Sequence, residues 1–327
     1  MPMPPTVIVL AGGLSHERDV SLRSGRRVAT ALRNEGHQVI ESDLNSELLS
    51  TIASVPNPVI FPMLHGETGE DGSLREVLTL LDVPFVGTGG ASSRIAFDKS
   101  IAQPILAHQG FTVPRQIALP HEIFRELGAK ALIEAMGEQI GFPMMVKPAR
   151  SGSALGCTKV TDIDEVPSAM VGAYAYGQVA VVEEYIEGTE VAVAVLDRGD
   201  GPQALPAVEI RPDSGVYDYA ARYTAGSTRF LVPAELDPEV ARRAADVAVA
   251  GHEYFNLAQL SRADMIIRDG VPYLLEINVA PGMTETSLVP LALEAAGLDL
   301  GKVCSDLVQH ARRHSSGRGT PAREKPE

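Results

Sequence analysis

The chain has 327 residues, of which 45% are hydrophobic, and its formal net charge is −14. This length is too great for one hydrophobic core and suffices for two or three domains, while the negative charge argues against nucleic acid as a partner. Two cysteines, Cys157 and Cys304, exclude a disulfide framework and a zinc cluster. The apolar run at 6–11 is too short for an export or membrane segment, so a soluble cytoplasmic protein without a membrane partner is predicted.

The first part of the chain alternates predicted strands with predicted helices. Short apolar runs typical of buried strands occupy residues 7–10, 39–41, 58–62 and 84–87. Amphipathic helices are predicted at about 19–35 and 74–81. Strands and helices in this order indicate a parallel sheet covered by helices, which we expect to form a first domain over residues 1–95.

Beyond residue 95 the spacing of elements is less regular. Helices are predicted at 99–109, 238–255 and 301–313, and strands at 144–147, 179–184, 191–196, 260–267 and 271–278. We divide this part into a central lobe, 96–186, and a C-terminal lobe, 187–313. A long polar loop is predicted at 212–228, and the polar tail 314–327 has the composition of a disordered segment. The predicted fold class is α/β, with α+β character in the C-terminal part.

The most informative pattern is a predicted hairpin around the turn signal Asp269-Gly270. A connection with an odd number of residues places Asp264 opposite Glu276 and Arg262 opposite Asn278, all on one face. An even number would separate the two carboxylates. The odd connection also gives the opposite face an apolar set, formed by Ala263, Met265, Ile267, Tyr273, Leu275 and Ile277.

Facing carboxylates repel each other, and a hard cation removes the cost of burying them. The oxygen ligands Asp264, Glu276 and Asn278 suit Mg²⁺ that bridges the phosphates of a nucleotide. The alternative is a solvated strand face with incidental charges. We favour the metal site because Asn278 opens directly into the turn 280–282.

A second pattern suits phosphate binding. Lys147 ends a predicted strand and precedes the Gly/Ser-rich segment 151–156, whose backbone N–H groups could bind phosphate oxygens. An ordinary flexible turn would have the same composition, and neither GxxxxGK[ST] nor GxGxxG occurs in the sequence. The strand end at 183–186 could flank an adenine ring, or simply expose solvated acids.

Nine short segments in a fixed order carry a family resemblance over nearly the whole chain. They are residues 12–22, 64–72, 98–99, 146–148, 152–153, 217–223, 261–264, 276–284 and 287–288. In these segments the chain resembles the D-alanine–D-alanine ligases of the ATP-grasp superfamily. The resemblance implies an N-terminal Rossmann-like domain for the first D-amino acid, followed by a two-lobed ATP-grasp fold.

The resemblance also implies a reaction and its setting. Two D-alanines would be joined at the expense of ATP through a D-alanyl phosphate, with two Mg²⁺ ions, or Mn²⁺ in their place. The product would serve peptidoglycan synthesis, and hence cell-wall biogenesis and cell shape, in the cytoplasm. The resemblance further implies a homodimer.

Roles for individual residues follow from the same resemblance. ATP would be bound by Lys99, Lys147, Ser153, Glu183, Glu184, Tyr185, Ile186 and Glu190. The metal ions would be bound by Asp264, Glu276 and Asn278. The first D-amino acid would contact Glu17 and His65, and the second Arg222, Ser287 and Leu288. Catalysis would depend on Glu17, Ser153 and Tyr223, which close the loop 212–228 as a lid, and on two oxyanion donors, Arg262 and the N–H of Gly282.

Four positions depart from the family pattern. Arg222 stands in place of Lys, Arg75-Glu76 in place of Gln-Gly, Ala154 in place of Ser and Val279 in place of Thr. They leave the second D-amino acid open, so a paralogue that makes a different D-dipeptide is an alternative. Tyr223 favours an amine acceptor over a hydroxy acid, because relatives that make depsipeptides usually lack it.

Three further alternatives are open. Another ATP-grasp carboxylate–amine ligase would share the ATP motifs but not Glu17 and His65. A non-catalytic protein that binds ATP and D-amino acids would not need the oxyanion donor Arg262. A nicotinamide dehydrogenase is remote because GxGxxG is missing.

Overall fold

The structure is a computed structural model that describes residues 5–213, 215, 217, 221–222 and 226–315. For residues 314 and 315 it describes the backbone but not the side chains. The predicted catalytic residue Tyr223, parts of the predicted lid and the tail beyond residue 315 lie outside the described residues. Among the described residues, no helix is long and apolar enough to cross a membrane.

The N-terminal part is built on a parallel sheet in the order β2-β1-β3. Its strands are β1 (Thr6–Leu10), β2 (Gln38–Ser42) and β3 (Pro58–Pro62). Both faces of β1 are covered, so its residues 7–10 are each at most 1% exposed. The predicted strand at 84–87 is instead a single parallel bridge between Phe85 and Ile60.

Helices cover both faces of this sheet. One face packs against α1 (Arg18–Asn34) and the last helix of the chain, and the other against α2 (Leu48–Ser54) and α4 (Ser73–Leu80). The short helix α3 (Glu67–Glu70) precedes α4, and α5 (Gly90–Phe97) and α6 (Lys99–His108) lead to the central part.

The central part holds an antiparallel sheet in the order β4-β7-β5-β6. The strands are β4 (Gln116–Pro120), β5 (Met144–Pro148), β6 (Thr158–Val160) and β7 (Val179–Glu184). Helices α7 (His121–Leu127), α8 (Ala129–Ile140) and α9 (Val166–Tyr174) accompany it. Met144 and Val146 pack against α8 and α9, so alternation along β5 turns Lys147 to the opposite face.

The C-terminal part holds a six-stranded antiparallel sheet in the order β11-β10-β8-β12-β13, with β9 paired to β8. The strands are β8 (Thr189–Leu196), β9 (Gln203–Ala204), β10 (Val208–Pro212), β11 (Thr228–Leu231), β12 (Leu260–Arg268) and β13 (Val271–Asn278). Helix α10 (Pro238–Tyr254) packs on one face. Helices α11 (Leu288–Ala295) and α12 (Leu300–Ser315) contribute to the core on the other face.

The β12–β13 hairpin turns more tightly than predicted. Arg268 pairs with Val271, so the connection has two residues, Asp269-Gly270, both with positive φ. This is the geometry of a two-residue hairpin turn of type I′. The predicted odd-numbered connection is therefore wrong.

A β-bulge nevertheless brings the two carboxylates opposite each other. Met265 pairs with Leu274 while Asp264 pairs with Glu276, which leaves Leu275 as the extra residue of β13. The bulge also corrects the predicted apolar face. Leu274 is fully buried in the core in place of Leu275, and Tyr273 pairs with Ile266 away from that core.

The three sheets lie within the predicted ranges 1–95, 96–186 and 187–313, and residue 95 lies inside α5. The domain boundaries themselves stay a prediction.

Two helical glycines give a matched test of packing. A Cβ at Gly25 in α1 would collide with the Cβ of Ala11, whereas a Cβ at Gly172 in α9 would meet no atom within 4 Å. We expect Gly25→Ala to lower the free energy of unfolding by about 1–3 kcal/mol through overpacking. Gly172→Ala should raise it by about 0.5–1 kcal/mol. Urea denaturation measures both, and equal changes in the two variants would contradict this account of the α1–β1 contact.

Candidate active site

Two cavities adjoin at the junction of the three sheets. A cavity of about 380 Å³ lies between the central and C-terminal sheets. A second, of about 470 Å³, lies between the N-terminal part and the C-terminal sheet. Gly152, Tyr217 and Arg222 line both cavities. A ligand that fills the first cavity therefore ends next to a ligand in the second.

Most of the residues predicted to bind ATP line the first cavity. They are Lys99, Lys147, Glu183, Glu184, Tyr185, Ile186 and Glu190. The remaining one, Ser153, is 2% exposed and lies between Gly152 and Ala154, which both line the cavity. The structure thus brings together segments that are separated by up to 91 positions in the sequence.

A buried ion pair marks the inner wall of this cavity. Lys147 Nζ lies 2.6 Å from Glu183 Oε1, and the two side chains are 8% and 5% exposed. The second oxygen of Glu183, Oε2, is buried and has no hydrogen-bond partner within the part of the chain that the structure describes. Buried carboxylate oxygens normally accept hydrogen bonds, so Oε2 is available to a donor on a ligand.

Other polar groups of this cavity differ in how they are held. Glu184 forms ion pairs with Arg115 and Arg268. Burial raises the pKa of Glu190 to about 7. Lys159 Nζ lies 3.8 Å from the centre of the Tyr185 ring. Lys159 was not among the predicted site residues, because no strand was predicted at 158–160, where β6 pairs with β5.

The predicted metal ligands lie at the junction of the cavities, each with a partner. Asp264 accepts two hydrogen bonds from Arg262, at 2.6 and 2.7 Å, and Glu276 Oε2 lies 2.7 Å from Lys99 Nζ. Asn278 Oδ1 accepts from the N–H of Ala280 at 2.8 Å. Within the described ranges, no group of three His, Cys, Asp or Glu side chains is arranged to hold a metal ion.

Burial and neighbouring charges together set the pKa values of the ionisable side chains at this junction. Burial opposes the ionisation of Glu276, but the cations Lys99 and Arg222 outweigh it and lower its pKa to about 2. The pKa of Arg262 is raised, because Asp264 overcomes the effect of burial. Both side chains are therefore charged at neutral pH.

The second cavity contains the residues predicted to bind amino acids. Glu17, His65, Arg222, Ser287 and Leu288 line it, together with the predicted oxyanion donors Arg262 and Gly282. No Cβ could be placed on Gly282 without a shift, because it would lie 2.8 Å from the Ser287 Oγ.

Glu70 is a site residue that the sequence analysis missed, although it lies in a segment that carries the resemblance. It lines the second cavity and is 3% exposed. Its Oε1 accepts the N–H of Gly66 at 3.0 Å, and a Cβ on Gly152 would lie 2.9 Å from both of its oxygens. Burial and the charge of Glu17 raise the pKa of Glu70 to about 8.

His65 is held between two polar partners. Its Nδ1 lies 3.0 Å from the carbonyl oxygen of Ala280, and its Nε2 lies 3.3 Å from Ser24 Oγ. Burial lowers the pKa of His65 to about 4, so the ring is neutral at physiological pH. Ser24 also escaped the sequence analysis.

The predicted lid reaches the phosphate loop through Arg222. Its Nη1 donates to the carbonyl oxygen of Gly152 at 3.2 Å, and its guanidinium lies 4.6 Å from the centre of the Tyr217 ring. Two other departures from the family pattern are buried. Arg75 is 2% exposed and donates to the carbonyl oxygen of Gly69, and Val279 is buried in the core.

Comparisons with known proteins agree with this geometry. A family model described as D-ala D-ala ligase C-terminus matches residues 105–309. A D-alanine–D-alanine ligase from Fervidobacterium nodosum is 35% identical over 314 residues, which cover 93% of this chain and 98% of that protein. One from Anaeromyxobacter sp. strain Fw109-5 is 39% identical over 306 residues, which cover 93% of this chain and 96% of that protein.

Solved structures give the same result. A D-alanine–D-alanine ligase from Bacillus anthracis, complexed with ATP, superposes with a TM-score of 0.81 at 28% identity, covering 97% of this chain and 100% of that one. The VanG D-Ala:D-Ser ligase from Enterococcus faecalis gives 0.80 at 27% identity, covering 94% and 100%. The chain therefore belongs to the D-alanine–D-alanine ligase family and has its ATP-grasp fold.

Proposed function

We propose that the protein joins two D-alanines to D-alanyl-D-alanine, with ATP as the source of energy, for peptidoglycan synthesis in the cytoplasm. The observation that carries this proposal is the contact of the two cavities at Gly152 and Arg222. A carboxylate is a poor electrophile, and phosphoryl transfer activates it only if the γ-phosphate and the carboxylate meet. The adjoining cavities provide that meeting point.

The first cavity suits ATP. Glu183 Oε2, which has no partner within the described residues, would accept a hydrogen bond from the adenine amino group. Lys99 and Lys147, both buried, would face the phosphates as point charges. Nucleotide phosphates would then approach the carboxylates Asp264 and Glu276 at the far end of the cavity.

Divalent ions fit at that end. Asp264 and Glu276 face each other across paired strands, and each is neutralised by a side-chain cation. An all-oxygen set completed by Asn278 is the chemistry that Mg²⁺ or Mn²⁺ prefers. When bound, the ions would neutralise charge on the transferring phosphoryl group. We propose two such ions.

The second cavity suits the amino acids. Glu17 would bind the ammonium of the first D-alanine, whose carboxylate oxygen would attack the γ-phosphorus and release ADP. The amine of the second D-alanine, oriented through its carboxylate by Ser287, would then attack the acyl carbon and release phosphate. Arg262 and the N–H of Gly282 would stabilise the oxyanion between these events.

Water must be kept from the acyl phosphate, because hydrolysis would waste it. Of the loop between β10 and β11, the described residues Tyr217 and Arg222 line both cavities, and Arg222 donates to the Gly152 carbonyl oxygen. We propose that this loop is the lid. The proposed network of Glu17, Ser153 and Tyr223, and the homodimer, stay predictions.

The test is an assay of purified protein with ATP, Mg²⁺ and D-amino acids offered singly and in pairs. ADP release that depends on D-alanine, with D-alanyl-D-alanine as the product by mass, supports the proposal. Release only with a mixed pair, for example D-alanine and D-serine, indicates a paralogue with another acceptor. No release with any pair indicates a binding protein.

Glu276→Gln tests the metal ligand within that reaction. We expect kcat to fall at least about 100-fold, because several kcal/mol of charge stabilisation at the phosphoryl group are lost. Glu253→Gln, an exposed substitution on α10, should stay within about twofold of the unchanged protein. Circular dichroism establishes that both variants are folded, and near-normal turnover of folded Glu276→Gln would refute the assignment.

Glu70 makes the stability of the protein depend on pH. Its pKa is raised from 4.5 to about 8, so the folded protein keeps a proton that the unfolded chain has already released. Stability must then fall as the pH rises from about 4.5 to about 8. We expect Glu70→Gln to lack this pH-dependent loss of stability. As the pH rises, its free energy of unfolding should therefore increase relative to that of the unchanged protein, by up to about 1.4 kcal/mol per pH unit. Parallel curves from pH 5 to pH 8 would contradict the buried, protonated carboxyl.

A further inference from the structure

The buried face of helix α1 contains polar side chains as well as apolar ones. Glu17 lies at its N-terminal boundary, and Ser21 and Ser24 follow at intervals of four and three residues, which places all three on one side. Both serines are fully buried. Ser21 bonds within the N-terminal part, to the Met63 carbonyl oxygen and the Gly12 N–H. Ser24 contacts His65 and accepts the N–H of Met283 from the C-terminal part.

The hydrogen bonds of Ser24 have only one consistent direction. The N–H of Met283 donates to Ser24 Oγ at 3.1 Å, and Ser24 Oγ also lies 3.3 Å from His65 Nε2. The Ala280 carbonyl can only accept, so His65 Nδ1 carries the ring proton and donates to it. In the neutral ring Nε2 is then an acceptor, and the Ser24 hydroxyl donates to it. These hydrogen bonds form a relay from Met283 through Ser24 and His65 to Ala280. The relay requires a neutral imidazole, which the burial of His65 favours.

The relay holds both ends of one turn. Ala280 and Met283 flank Gly282, whose N–H is the proposed oxyanion donor. The turn has further supports, from Asn278 Oδ1 to the Ala280 N–H and from Arg27 Nη1 to the Thr284 carbonyl oxygen at 2.6 Å. Arg27 also lies on α1 and ties the C-terminal end of the turn to this helix, because its Nη1 lies 3.5 Å from the Met283 carbonyl oxygen as well. The hydrogen bonds through Ser24 and His65 reach both Ala280 and Met283, on the two sides of Gly282.

We propose that Ser24 is a positioning residue, which acts through His65 to set the oxyanion turn, residues 280–283, in register with the start of α1. The proposal rests on the proposed function, since it assigns Gly282 and Glu17 to opposite ends of the same substrate. Loss of the relay should misplace the oxyanion donor while the ATP cavity, 380 Å³ and built from other elements, stays intact. Misplacement by about 1 Å is enough to lower a rate on the order of 100-fold.

The kinetic test compares Ser24→Ala with Ser21→Ala in the full chain. The two serines are equally buried and one turn apart on the same helix, but only Ser24 contacts the turn. We expect Ser24→Ala to lower kcat by about 10- to 100-fold with KM for ATP unchanged. Ser21→Ala should lose melting temperature but keep kcat within about threefold. Equal kcat in the two variants would overturn the proposal, as would a rise in KM for ATP alone.

Amide hydrogen exchange tests the same relay without enzymatic turnover, through the protection of the backbone amides of the turn. The peptide 279–287 should exchange at least about tenfold faster in Ser24→Ala than in Ser21→Ala, because the Met283 amide loses its acceptor. Unchanged protection would overturn the proposal even if kcat fell. If Ser24→Ala does not fold, Ser24→Cys, with its weak hydrogen bonding, takes its place. Failure of the unchanged protein to release ADP with D-alanine would refute the proposed function, while the exchange result would still decide the role of Ser24.

Discussion

Two carboxylates that face each other with little exposure to solvent are the constraint on which this site depends. Asp264 and Glu276 are neighbours across β12 and β13, with side chains 10% and 16% exposed, and placing two carboxylates together is costly unless cations accompany them. Arg262 and Lys99 supply them, each as a close ion pair. Removing one member of such a pair leaves a buried charge, which makes the arrangement costly to lose. The positive charges around the junction are thus required by the fold, and they are also the charges that a nucleotide triphosphate needs.

The same hairpin connects the two cavities. Glu276 lines the first cavity, and two residues later the strand ends at Asn278, where the chain continues into the turn 280–283 along the second cavity. One continuous segment therefore carries the proposed metal ligands and the proposed oxyanion donor. The contact of His65 with the Ala280 carbonyl oxygen extends this connection to the N-terminal part.

Much of this was predictable from the sequence, and the failures have physical reasons. The strand β7 and the strand β13 were predicted with their observed bounds because their apolar patterns are strong. The hairpin connection was wrong because a β-bulge at Leu275 restores the pairing that a two-residue turn would break. Glu70 and Ser24 were missed because their partners lie on other elements, and a single sequence does not show contacts between distant segments. Helices α8 and α9 were missed as well, and α9 contains Pro167 and Gly172, residues that are typical of turns.

The most direct test of the central claim is a crystal structure of the protein with Mn²⁺ and a non-hydrolysable ATP analogue, with anomalous scattering to locate the ions. The account predicts an anomalous peak about 2.1 Å from carboxylate oxygens of both Asp264 and Glu276. It also predicts that Lys99 leaves Glu276 for a phosphate oxygen. Ions bound elsewhere, or an analogue bound with the Arg262–Asp264 and Lys99–Glu276 pairs intact and no ion between them, would contradict it.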